Sequence, residues 1–193
     1  TRSTTRRNNV FSTSESLLWV NSISYVNTWE CALLNLIEYT MYTWLEDIIK
    51  TATSGHPAAF IAESIQGNAG IVVPPKGYFK RVKEILSAHG SLFIADEVQT
   101  GFARTGKMFA IENFDVTPDI MSVAKALGNG APISAFISTA KIAVTYTKPG
   151  ASTLGGNPVS TTAGLAVLNY IEEHDLKSNA LARGKQLKEG LYE

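Results

Sequence analysis

Apolar residues along this 193-residue chain fall into two rhythms. Short continuous runs occur at 58–63 (AAFIAE), 91–97 (SLFIADE), 119–125 (DIMSVAK) and 133–139 (ISAFIST). Runs of that length, rich in Ile, Val and Phe and bounded by turn residues, predict buried strands. Between the first two, Tyr78, Val82, Ile85 and Leu86 recur at helical spacing, a stripe over 75–89 closed by Gly90. Near the end, Asn157 and Pro158 predict an N-cap and a first helical position, ahead of an apolar face of Val159, Ala163, Val167, Tyr170 and Ile171. After Asp175 another stripe follows, Leu176, Ala180, Leu187 and Leu191, interrupted by Gly184. Strands alternating with helices predict an α/β domain around an open, mostly parallel sheet. In such a sheet the ligand crevice opens at the carboxyl ends of the strands, where Glu63, Asp96 and Lys125 all fall.

The pairing of Asp96 with Lys125 carries the strongest chemical signal. Each ends an apolar run and enters a Gly-containing turn, and the interval between them suits a strand, a crossover and the next parallel strand. A pyridoxal phosphate enzyme must place these two group types around its ring. A buried carboxylate holds a proton on the ring nitrogen electrostatically, and a lysine carries the cofactor aldehyde as an imine and afterwards moves the substrate α-proton. Taken singly, each residue has a plainer reading: the Asp as a helix cap, the Lys as a solvated charge near a helix start.

The surrounding letters decide between them. Four strings, AAFIAESIQGNAGIVVPPKGYF, LFIADEVQTGFARTGKMFA, PDIMSVAKALGNGAPISAF and STLGGNPVSTTAGLAVLNYIE, stand in order and at matching spacing from about Trp44 onward. In this the chain resembles the class III aminotransferases of the ornithine, 4-aminobutyrate and alanine–glyoxylate type, which are pyridoxal phosphate enzymes of fold type I. The resemblance implies that 44–193 is part of the cofactor-binding large domain, with pyridoxal 5'-phosphate carried on Lys125 and its ring nitrogen paired with Asp96. It further implies that Val98 packs on one face of the ring, that Gln99 reaches the phenolic oxygen, and that Thr153 reaches the cofactor phosphate of a neighbouring subunit in a homodimer. Glu63 would stand at the mouth of the substrate site, and the substrates would be a small-molecule amino donor and an oxo-acid acceptor.

Three small residues depart from the family pattern: Ser64 in place of proline, and Ala103 and Ala126 in place of glycine. If the backbone at either alanine needs positive φ, the expected strain is about 1–2 kcal/mol each. A competing nucleotide reading fails on its details. GFARTGK at 101–107 begins like a phosphate-binding loop, but Met108 stands where magnesium needs a hydroxyl and the acidic strand directly precedes the loop. GNG at 128–130 lacks the third glycine of a dinucleotide site. The family's upstream Ser/Thr phosphate turn has no counterpart before Glu63; SGHPAA at 54–59 begins similarly, but its composition suits a loop. The chain thus reads as the middle of an aminotransferase, without the small C-terminal domain.

Composition adds exclusions. Seventeen basic and seventeen acidic side chains cancel, which argues against nucleic acid and for a small-molecule site. The single Cys31 excludes an internal disulfide and fits a reducing compartment, and His56, His89 and His174 show no metal-ligand spacing. Residues 1–43 are atypical: Arg2, Arg6 and Arg7 sit among Ser and Thr with no acid before Glu15, which suits a transit segment or a basic tail. The uncharged run from Ser16 to Trp29 is shorter than the about 18–20 residues of a membrane span, so a partly buried helix pair or unrelated upstream sequence is expected there. These features point to the cytoplasm, or to an organelle matrix if the basic start is a transit segment. Two functions follow: a pyridoxal phosphate transaminase or a fragment of one, or an incompetent truncated homologue that only folds or binds.

Overall fold

The computed structural model describes residues 18–19 and 43–192. Most of the atypical segment 1–43 therefore lies outside the described residues. Five strands make one sheet in chain order: β1 (Leu18–Trp19), β2 (Ala59–Glu63), β3 (Leu92–Asp96), β4 (Ile120–Val123) and β5 (Ala135–Ser138). The first four run parallel. β5 pairs antiparallel with β4, with Val123 opposite Ala135, so the last predicted strand does not extend the parallel set. The reason is connection length. Residues 124–134 form a turn of 3₁₀ helix at Lys125–Leu127 and a loop, short of the dozen or more residues that a parallel crossover takes.

Helix α1, over 43–52, is followed by α2 (Tyr78–Ala88), the single turn α3 (Ala140–Ala143), α4 (Pro158–Glu173) and α5 (Leu176–Tyr192). α2 buries the predicted stripe and adds Phe79 to it. Gly77, at its start, and Gly90, just past its end, both adopt positive φ, the conformation that a Cβ disfavours.

Register decides which strand residues share a face. Phe60 stands level with Phe93 and Ala95 with Met121, while Ile61, Ile94 and Ile120 line up on the opposite side. The first face is covered. Phe60, Phe93 and Ala95 pack with Leu45 and Ile49 of α1, with Tyr78, Phe79, Val82, Ile85 and Leu86 of α2, and with Ile111 and Phe114 of a 3₁₀ turn at Ala110–Phe114. Phe79 stacks on Phe93 at 5.4 Å between centroids and meets Phe114 edge-on at 5.1 Å. Met121 and Phe109 join this core to a second cluster of Phe102, Ala103, Val123, Leu127 and Ile171. The opposite face, with Ile61, Ile94 and Ile120, is only half-buried among the described residues, and Phe136 of β5 is 70% exposed.

The last two helices depart from their predicted faces. α4 starts as expected, Asn157 Oδ1 accepting from the Ser160 N–H with Pro158 in the first turn. Yet it buries Ser160, Gly164 and Ile171, leaving Val159 and Tyr170 exposed. Close approach explains the rotation: a Cβ at Gly164 would lie 3.3 Å from Ile133 Cδ1, so the small residues, not the large ones, face the 3₁₀ turn and its loop. α5 buries no residue; Leu176 packs on the second cluster while Leu187 and Leu191 are exposed.

Candidate functional site

Two neighbouring strands end in two neighbouring acid-containing pairs, and the pleat sends each pair's members to opposite faces. Glu63 stands level with Asp96 on the open face, and Asp96 with Ser122 of β4. Lys125 lies three residues beyond Ser122, in the 3₁₀ turn. The carboxyl end of the sheet thus brings Glu63, Asp96 and the backbone of Lys125 to one edge, as the strand reading anticipated.

Local geometry holds each of these residues in its own way. Asp96 Oδ1 accepts from the Val98 N–H at 3.0 Å, an Asx turn that fixes the carboxylate where the chain leaves the strand. Its other oxygen takes no hydrogen bond among the described residues. Glu63 Oε2 accepts from the Gly67 N–H at 2.9 Å, and Gly67 is also where Gln99 rests: a Cβ there would lie 2.5 Å from Gln99 Oε1. Glu63 and Gln99 are therefore tied to the same glycine. Lys125 is exposed, its amine takes no hydrogen bond or ion pair among the described residues, and its backbone is at φ 41°. A non-glycine residue held there is strained, and such strain persists only where surrounding structure over-determines it. Thr153 stands apart, exposed on the loop over 144–157 and without a hydrogen bond to the other candidates.

The departures from the family pattern divide. Ala103 sits at φ 71° and is buried, so the anticipated strain is present there. Ala126 does not adopt positive φ; the lysine beside it does. Ser64 is fully buried and donates to Glu97 at 2.5 Å. The loop over 101–107 leads into the 3₁₀ turn at Ala110 and not into an α-helix, so the helix start of a phosphate-binding loop is missing. Residues 54–58 form a loop, with the His56 ring against the His89 carbonyl at 3.1 Å.

Glu97 is the residue that motif reading passed over. Its side chain has 0% exposure and takes four donors: Ser64 Oγ and the Ile111 N–H on Oε1 at 2.5 and 2.7 Å, Thr100 Oγ and the Ala110 N–H on Oε2 at 2.6 and 3.0 Å. The available signal was its place in an alternating run, two residues after the apolar Ala95 on the same face. Gln66 is also buried, and its Oε1 has no partner among the described residues.

Comparison with known proteins now adds the family. The family model for class III aminotransferases matches residues 4–193. The chain belongs to the class III aminotransferases. It is 50% identical over 148 residues to the mitochondrial alanine–glyoxylate aminotransferase 2 homolog 2 of Arabidopsis thaliana, covering 76% of this chain and 31% of that protein. It is 58% identical over 124 residues to the leucine/methionine racemase of Thermococcus litoralis, covering 64% and 28%. Among solved structures, a transaminase from the marine bacterium Virgibacillus superposes with a TM-score of 0.76 at 37% identity, covering 80% of this chain and 37% of that one. The described sheet and helices are thus part of the fold type I architecture of these class III enzymes. The chain spans about a third of the length of the proteins that it matches. Among the described residues no helix is long and apolar enough to cross a membrane, and no cluster of His, Cys, Asp and Glu could hold a metal ion.

Proposed function

We propose that the chain is part of a pyridoxal phosphate-dependent transaminase that moves an amino group from an amine or amino acid to an oxo-acid. The observation that carries the reading is the alignment of Glu63, Asp96 and Ser122 across three parallel strand ends, with Lys125 three residues further on. The residues fit the cofactor. Asp96 offers a carboxylate fixed on one oxygen by a backbone N–H and open on the other, the acceptor that a protonated ring nitrogen requires. Lys125 offers an exposed amine without a competing ion pair among the described residues.

When bound, pyridoxal phosphate supplies an electron sink next to the substrate amine. Asp96 holds a proton on the ring nitrogen. Lys125 would hold the cofactor through its amine and would move the substrate α-proton as general base and acid. Val98 would pack against the ring, and Gln99, resting on Gly67, would donate its amide to the phenolic oxygen. Glu63 faces the substrate. Thr153, exposed and free of local hydrogen bonds, suits a phosphate contact across a homodimer. Segment 44–193 is read as part of the cofactor-binding domain, working in the cytoplasm or an organelle matrix.

Titrating the protein with pyridoxal phosphate, reducing with borohydride and mapping the modified peptide tests the assignment. The expected label is on Lys125, and Asp96→Asn is expected to keep the label while losing most transamination. Label elsewhere or none would favour an incompetent homologue. The racemase relative favours a second reaction at the same residues: proton return to the opposite face of the α-carbon, without loss of the amine. Chiral analysis of the amino acid separates the two, because an oxo-acid product supports transamination and an inverted amino acid supports racemisation.

A further inference from the structure

We propose that Glu97 is a positioning residue of this site, acting through the backbone to set Asp96, Val98, Gln99 and Glu63. The inference rests on the transaminase reading for its catalytic consequence, but its structural basis is independent of it. Glu97 follows Asp96 directly and points to the covered face, where its carboxylate joins three otherwise separate pieces of chain. Through Ser64 it grips the residue after Glu63; through Thr100 it grips the residue after Gln99; through the Ala110 and Ile111 N–H groups it grips the start of the 3₁₀ turn that closes the core. Glu63, Val98 and Gln99 are therefore within one or two residues of an atom held by Glu97, and Asp96 is bonded to Glu97 itself along the chain.

The donor set is specific for a carboxylate. Each oxygen takes one hydroxyl and one backbone N–H. A hydroxyl can rotate to accept, but a backbone N–H cannot. In Glu97→Gln the amide NH₂ would face either the Ile111 N–H or the Ala110 N–H, whichever way it turned, so no orientation of glutamine satisfies the cluster. Ser64, which stands where the family pattern has proline, adds a hydroxyl donor that a proline ring could not supply. The cluster thus couples the ends of β2 and β3 without presenting a group to the open face.

Two gentler variants keep the test readable if Glu97→Gln fails to fold. Thr100→Val removes one hydroxyl at nearly constant volume, and Thr100→Ser restores it. With pyridoxal phosphate bound, Thr100→Val is expected to lower kcat on the order of tenfold, change KM by less than about twofold, and move the pH midpoint of the cofactor's visible absorbance; Thr100→Ser is expected to return all three toward wild type. In cofactor-free protein, amide exchange at 97–101 should quicken in Thr100→Val and recover in Thr100→Ser. Unchanged exchange and an unchanged absorbance midpoint in a folded Thr100→Val would overturn the proposal, as would a loss of melting temperature that Thr100→Ser does not share while both turn over normally. If wild type is not labelled at Lys125, the transaminase reading fails, and the exchange comparison still decides whether Glu97 holds the turn.

Discussion

The two faces of the central sheet have opposite characters although they are built from adjacent residues of the same strands. On one, Phe60, Phe93 and Ala95 lie under α1, α2 and a 3₁₀ turn, with Phe79 and Phe93 fully buried and stacked. On the other, Ile61, Ile94 and Ile120 are half-buried among the described residues. The same split runs through the strand ends. Ser64 and Glu97 meet on the covered side, where every carboxylate lone pair has a donor, while Glu63 and Asp96 lie on the open side with part of their hydrogen-bonding capacity unused. Stability and chemistry are thus separated by the pleat: a shift of one residue along the chain moves a carboxyl group from an architectural role to one that can meet a ligand.

The largest test of that division is a pair of truncations. Phe93→Ala should cost about 3–5 kcal/mol, through lost burial and a cavity beside Phe79 and Phe60, whereas Ile94→Ala on the other face should cost about 1 kcal/mol or less. Denaturant unfolding of both variants checks this, and equal losses would mean that the open face is covered in solution. Next in size is Ala103→Val. A β-branched side chain at φ 71° in a 4%-exposed site should destabilise by about 2–3 kcal/mol, measured in the same way. A near-neutral result would mean that the turn relaxes.

Gly67→Ala probes the open side. The added methyl collides first with the end of the flexible Gln99 side chain, so stability should hold within about 0.5 kcal/mol while Gln99 swings away. A cofactor absorbance change without a change in melting temperature is the expected result. Smallest is the ion pair of α1, where Lys50 donates to Glu46 at 2.8 Å and holds the Glu46 carboxyl below its ordinary range. A depressed carboxyl contributes stability above its unfolded pKa and loses it as pH falls through the folded value. Glu46→Gln should therefore flatten only the acid limb of the stability profile, below about pH 4, and salt should blunt the effect.

Legibility followed the range of the interactions involved. The stripe of α2, the cap at Asn157 and the strand ends at Glu63 and Asp96 depend on neighbours a few residues away, and each stands where the letters put it, while Lys125 falls just past the end of β4, in the 3₁₀ turn. The exposed face of α4 was misread because large apolar letters outweighed Ser160 and Gly164, whose smallness is what lets the helix approach Leu127 and Ile133. The direction of β5 was not legible because the apolar run is alike for either orientation, and only the short connection after β4 forbids a crossover. Glu97 was overlooked because the alternation that puts it on the face of Ala95 does not say which face is covered; its four donors come from residues as far apart as 64 and 111.

By itself the sequence determined the family of the chain, the strand-and-turn punctuation, and which chemical groups arrive at the ends of strands, since each is written in local spacing and residue type. Only the tertiary structure decided which face of the sheet is covered, that Asp96 is left open while Glu97 is enclosed, that Gln99 rests on Gly67, and that Lys125 rather than Ala126 takes the strained backbone. The physical reason is that a period of two tells which residues share a face, but not which face other elements will cover; that depends on contacts between segments far apart in the chain.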